Sequence, residues 1–201
     1  MRQIFLFNHA PVAGSITLSG TVYFWASASQ GVNTVTMSMT GADVQTVYTD
    51  ASGNYSFTST ASGVFIITPM KHNWANVTQS LVLNGVTSAD TTMVTNHNAG
   101  TALFTSIYQY IAADVNGSNS ITNVDGTIIS QAIIGNTTAL NNIRSRKNWR
   151  FVQFAYSQSV PPSSWAFPSS HSLNTSVSTS SLDFYAIKVA DVNGTADTTI
   201  V

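Results

Sequence analysis

From Gly14 to about Leu83, apolar and polar residues alternate with a period of two. Ser15-Ile16-Thr17-Leu18-Ser19 and Val35-Thr36-Met37-Ser38-Met39 show it most plainly, and Thr46 to Thr49, Asn54 to Thr58 and Val64 to Thr68 repeat it. Alternation of this kind buries one face of a strand and leaves the other in water. Gly20, Gly31, Gly41, Gly53 and Gly63 punctuate the runs, and short strands so spaced predict a β-sandwich. Asp50-Ala51-Ser52-Gly53-Asn54 is a turn with a mechanism, because Asp bonds its own backbone and Gly accepts positive φ.

From Val86 to about Arg146 the period becomes helical. Asn123 is placed to cap a helix whose apolar stripe is Val124, Ile128, Ile129, Ala132 and Ile133, with Gly135 after its end. Ser88 is placed to cap a shorter helix that ends before Gly100. Leu103, Phe104, Ile107, Tyr108 and Ile111 form a third stripe, and a fourth helix is expected from Thr138 to about Arg146. Strand character returns in the aromatic run Trp149 to Tyr156 and in Asp183 to Val189. Between them, Ser169 to Ser181 is rich in Ser, Thr and Asn and reads as a loop or a solvent-facing edge. The chain thus divides into an N-terminal strand (1–13), a β-sandwich (14–84), a helical module (85–147) and a C-terminal β segment completing that module (148–201).

Two repeats lie in the second half. Gly85-Val86-Thr87-Ser88-Ala89-Asp90 aligns with Ser120-Ile121-Thr122-Asn123-Val124-Asp125 at an offset of 35 residues. Ala113-Asp114-Val115-Asn116-Gly117 is identical to Ala190-Asp191-Val192-Asn193-Gly194, and a hydroxyl residue, Ser118 or Thr195, follows each copy. Asp114 to Asp125 spans twelve residues with side-chain oxygens at Asp114, Asn116, Ser118, Thr122 and Asp125. With the Ser120 carbonyl at the seventh place, that is the spacing at which a loop wraps oxygens around Ca²⁺. The upstream copy keeps only Asp90. Asp191, Asn193 and Thr195 form a half-loop without a following helix, which either folds back to complete a split second site with Asp90 or is a tight turn after the last strand.

These segments carry a resemblance. ADVNGSNSITNVDGTIISQAIIG, preceded by the partial copy GVTSADTTMVTNHNAG, resembles a dockerin-type duplicated calcium module. TDASGNYSF with its flanking strands resembles the carboxypeptidase-regulatory-like or Cna-B-like sandwich, and LDFYAIKVADVNG resembles the strand that follows dockerin-like repeats in large bacterial surface proteins. The resemblance implies a mainly β fold with an inserted α-helical calcium-binding module and an extracellular location. Ser118 stands where an acid is usual and Asn119 where Gly is usual.

Composition adjusts this picture. Charged residues are only 7% of 201, net charge is −1, and all eight acids are Asp. Such a surface has little repulsion to keep copies apart and suits a protein covered by glycans or by itself. Near-neutral charge argues against a nucleic-acid partner, and no apolar run is long enough for a transmembrane helix. Six glycosylation sequons occur; Asn76, Asn136 and Asn174 are the candidates outside the calcium loops and the Asn54 turn. Catalysis finds no support: there is no Cys, no Glu and no paired His, and Ser170-His171 lacks an acid partner. Arg144, Arg146, Lys147 and Arg150 read as a cationic helix end.

The expectation is therefore a non-catalytic structural subunit of an extracellular filament or surface layer, stabilised by one Ca²⁺ with a second at the split site. Its partners are copies of itself, with glycans second. Ile4, Phe5, Leu6 and Phe7 form an apolar strand that pairs either with a neighbouring copy, giving a head-to-tail filament, or with its own sandwich. The other readings are a docking module of a larger protein and a carbohydrate-binding module using Trp25, Trp74 or Trp165.

Overall fold

The computed structural model describes residues 14–71, 78–145 and 147–200. Ile4 to Phe7, Trp74, Asn76 and Arg146 lie outside them. The fold is mainly β, with two sheets and five helices among the described residues. Six strands come first: β1 (Ile16–Phe24), β2 (Ser27–Gly31), β3 (Thr36–Gly41), β4 (Gln45–Tyr48), β5 (Asn54–Ser59) and β6 (Gly63–Met70). Five helices follow: α1 (Gln79–Val82), α2 (Ser88–Asn98), α3 (Ile107–Ala113), α4 (Asn123–Ile133) and α5 (Thr137–Ser145). β7 (Trp149–Gln153), β8 (His171–Thr175) and β9 (Phe184–Lys188) close the chain.

The five strands expected from alternation all form, and the Asp50 turn carries its expected bonds. Asp50 Oδ1 accepts from the Ser52 and Asn54 N–H groups at 2.9 and 2.8 Å, and Gly53 has φ +81°. That turn carries the chain from one sheet to the other, since β4 pairs with β3 and β5 with β1.

One sheet has the order β2-β1-β9-β7 with β5 also on β1; the other has the order β4-β3-β6-β8. β5 pairs with β1 only as far as Thr21, and beyond it β9 lies parallel to β1 from Val22 to Phe24. The sandwich therefore draws on both ends of the chain. Alternation assigns it to residues 14–84, but β7 and β9 extend its first sheet and β8 forms an edge of its second. The reason is that β5 and β2 take one hydrogen-bonding edge of β1, where Val22 bonds Gly53 and Val32, and leave the other edge, where Ser19 and Trp25 bond Thr179 and Ala186, to the C-terminal segment.

Between the sheets lie Leu18, Phe24, Phe57, Trp149 and Phe184 from one side and Met37, Met39, Phe65 and Ile67 from the other. Each large apolar side chain so buried contributes roughly 1.5–3 kcal/mol. The second core lies between the helices and the opposite face of β7 and β9, where Val152 and Ile187 meet Val94, Ile111, Ile129 and Ile143. β9 is thus covered on both faces. That explains its nearly continuous apolar sequence, as in strands of fully covered sheets. The arrangement is three layers, sheet on sheet on helices, and the helices share a core with the strands.

Candidate metal centre

α3 runs into the first loop and Asp114 is its C-cap. Gly117 and Asn119 have φ of +75° and +60°, so the chain turns back on itself within a few residues. Asp114 Oδ1 and Asn116 Oδ1 both accept from the Ser118 N–H at 2.9 Å, and Ser118 Oγ donates to the Ser120 carbonyl at 3.1 Å. The loop ends on α4, whose N-cap is Thr122, one residue before the expected Asn123. A capping box selects it: Asp125 stands three positions on and accepts from the Thr122 N–H at 2.9 Å. The other oxygen of Asp125 accepts from the Val115 N–H at 3.2 Å, which ties the end of the loop to its start.

The second half-loop repeats this pattern on another part of the chain. Asp90 is in the same capping box with Thr87, again one residue before the expected cap Ser88. Asp90 Oδ1 accepts from the Val192 and Asn193 N–H groups at 2.7 and 3.1 Å. Asp191 Oδ1 accepts from the Thr195 N–H at 2.9 Å, as Asp114 does from Ser118. Thr195 Oγ1 donates to the Gly85 carbonyl at 3.0 Å, as Ser118 Oγ does to Ser120. Gly194 has φ +70° and Gly117 +75°.

The structure thus brings Asp90, Asp191, Asn193 and Thr195 into one place, and Asp114, Asn116, Ser118, Ser120 and Asp125 into another. The Thr122 hydroxyl caps α4, accepting from the Val124 N–H at 3.3 Å. The sequence reading passes over the Gly85 carbonyl, although the 35-residue offset aligns it with Ser120. It also passes over Lys188, which is fully buried and donates to the Val82 and Val189 carbonyls at 2.6 and 3.0 Å.

All four carboxylates, Asp90, Asp114, Asp125 and Asp191, are buried. Burial is the main cause that raises Asp125, and the negative charge of Asp114 adds to it against hydrogen bonds from Thr122. Burial also pushes Asp191 up to about 6, with Asp90 adding and Lys188 opposing. Lys188 in turn is held down to about 7 by burial, against the pull of Asp191 and Asp90. Two like charges brought together out of water favour a cation between them. The donors at each site are all oxygens, two of them carboxylate and the rest hydroxyl, amide or carbonyl. That is the chemistry of a hard divalent ion, not of zinc or copper. Among the described residues there is no group of three or more His, Cys, Asp or Glu that could hold a metal ion.

Comparison with known proteins gives no match to any family model, curated protein or solved structure.

The remaining candidates do not assemble. His97 stacks on Phe104 with ring centroids 4.1 Å apart and accepts from its N–H, as a packing residue does. His171 bonds the Asp183 carbonyl. Asn136 and Asn174 are exposed, on the approach to α5 and on β8. Among the described residues no helix is long and apolar enough to cross a membrane.

Proposed function

We propose that the protein is a non-catalytic, calcium-stabilised structural module of an extracellular surface assembly, with a dockerin-like pair of sites built into a β-sandwich. The observation that carries the reading is the duplicated hydrogen-bond pattern of the two loops. One loop is continuous in sequence. The other is closed by a half-loop that reaches Asp90 from more than 100 residues away.

Asp114, Asn116, Ser118, the Ser120 carbonyl and Asp125 would hold the first ion. Asp90, Asp191, Asn193, Thr195 and the Gly85 carbonyl would hold the second. A bound Ca²⁺ supplies positive charge between buried carboxylates and stiffens the loop around it. At the second site the protein's own Lys188 already offsets part of that charge. Binding there fastens the C-terminal half-loop to α2 and so joins the end of the chain to the helical layer. A fold held this way suits a load-bearing role better than turnover.

The self-assembling part of the reading rests on Ile4 to Phe7 and on the low surface charge. Two experiments test it. Calorimetric titration of chelator-stripped protein should give two bound calcium ions; none would sink the metal reading. Removing residues 1–12 should abolish fibres seen by electron microscopy; fibres of normal length would sink strand donation.

A further inference from the structure

Three asparagines of this chain precede a glycine: Asn84, Asn116 and Asn193. The pair has a chemistry of its own. The backbone nitrogen of the second residue can attack the side-chain amide carbon of the first, Cγ, and close a five-membered ring, and glycine has no Cβ to block the approach. Folding decides whether the ring closes, because the side chain must turn over its own backbone and leave its other partners. All three pairs lie in or beside the two loops, yet the fold holds them differently.

The Asn84 amide is held at both ends. Its Nδ2 donates to the Asp197 carbonyl at 2.8 Å, and its Oδ1 accepts from the Asp197 N–H at 2.9 Å. The residue is 9% exposed, and a Cβ at Gly85 would lie 2.5 Å from the Ala196 nitrogen, so the backbone there is tightly packed. Asn193 is half-buried. Its Oδ1 accepts from the Thr195 hydroxyl at 2.8 Å, and its N–H donates to the buried Asp90 carboxylate at 3.1 Å. Gly194 after it is wedged on the β1–β2 turn, where a Cβ would lie 2.3 Å from Ala26 Cβ. Asn116 is exposed. Its Oδ1 accepts from the Ser118 N–H at 2.9 Å, a turn that already folds the side chain forward over the peptide link to Gly117.

We propose that Asn116 is a modification site, at which the chain converts its own amide to a carboxylate. The Gly117 nitrogen attacks Asn116 Cγ, the new C–N bond replaces the one to the side-chain nitrogen, and ammonia leaves with the proton of the Gly117 N–H. Solvent water then opens the ring. Cleavage of the Cγ–N bond leaves aspartate; cleavage of the backbone C–N bond leaves isoaspartate, with the main chain rerouted through Cγ. No oxidant or reductant is needed. Aspartate adds a negative charge to a loop that already holds Asp114 and Asp125, and isoaspartate lengthens the main chain between them by one carbon. Either product accumulates with the age of the molecule. The proposal goes beyond the calcium reading and stands without it, because the ring closes without a metal.

The test is to age the folded full chain in warm, mildly alkaline buffer beside the same chain in urea, and to follow each Asn–Gly peptide by mass spectrometry. Exchange of ammonia for water raises the peptide mass, and isoaspartyl methyltransferase labels the isoaspartate. In urea the three sites should react at similar rates. In the folded chain Asn116 should outpace Asn193 about tenfold, the factor that one further hydrogen bond to open imposes, and Asn84 should stay intact. Asn116→Gln, an exposed change that enlarges the ring to be formed, should remove most of the methyltransferase label from the folded protein. An Asn116 that stays intact when folded, a faster Asn193 or Asn84, or undiminished label in Asn116→Gln would overturn the proposal.

Discussion

The Val192 N–H donates to Asp90 Oδ1 at 2.7 Å across 102 positions of chain, as the Val115 N–H donates to Asp125 across ten. The two contacts are the same interaction made once over long range and once locally. Energetically they differ, because closing a loop of ten residues costs less entropy than closing one of 102.

If calcium sits in the first loop, Asp114→Ala should cost clearly more stability in calcium than in chelator, where its bond from the Ser118 N–H is still lost. An ion present at about 100 times its Kd contributes about 2.7 kcal/mol. Melting curves in both conditions decide it; an equal loss in each would make the loop structural without metal.

Asp90→Ala should leave the Val192 and Thr87 N–H groups without their carboxylate. Each buried group so orphaned costs about 1–3 kcal/mol. The C-terminal segment should then become the first site of proteolysis and one calcium should be lost from the titration. A protease pattern like that of the wild type would show that the chain end is held by other contacts.

Gly85→Ala and Gly100→Ala form a matched pair. Both glycines have left-handed backbone, φ +77° and +72°. A Cβ at Gly100 meets nothing, so only the backbone penalty of about 1–2 kcal/mol applies. A Cβ at Gly85 would come within 2.5 Å of the Ala196 backbone nitrogen. Gly85→Ala should therefore cost more by denaturant titration and displace the second half-loop. Equal losses would mean that the C-terminal segment yields freely.

Stability should rise between about pH 8 and 10. Burial holds Lys71 down at about 8, with Asp197 opposing, whereas an unfolded lysine titrates near 10.4. Below 8 both states bind the proton and the burial cost is present in full. Above it only the unfolded state binds, so stability climbs with pH. Lys188, held down to about 7, adds with the same sign. Above about 10 the buried Tyr55 and the half-buried Tyr108, both raised, reverse the slope. Lys71→Met should flatten the rise in urea titrations; an unchanged slope would assign it elsewhere.

Much of the local structure was legible in the residues. The Asp50 turn, the early strands and the Asp114–Asp125 loop all depend on groups within a dozen positions, so spacing alone announces them. The caps at Thr87 and Thr122 were missed by one residue, because the Asp at the third helical position selects the partner three before it. The repeated ADVNG pentapeptide announced the split loop, and the 35-residue offset held the Gly85 carbonyl in plain view.

What the sequence by itself determined was β1, β3 to β6, the helices α2 to α5, the strands β7 and β9 and the repeated ADVNG loop, since these follow from short-range periodicity and hydrogen bonding, whereas β2, α1 and β8 carry no such pattern. Only the tertiary structure decided that β9 enters beside β1 and that β8 joins the opposite sheet. Those relations depend on which strand edge lies open and which sheet face is already covered, and both are properties of the assembled layers, not of any segment.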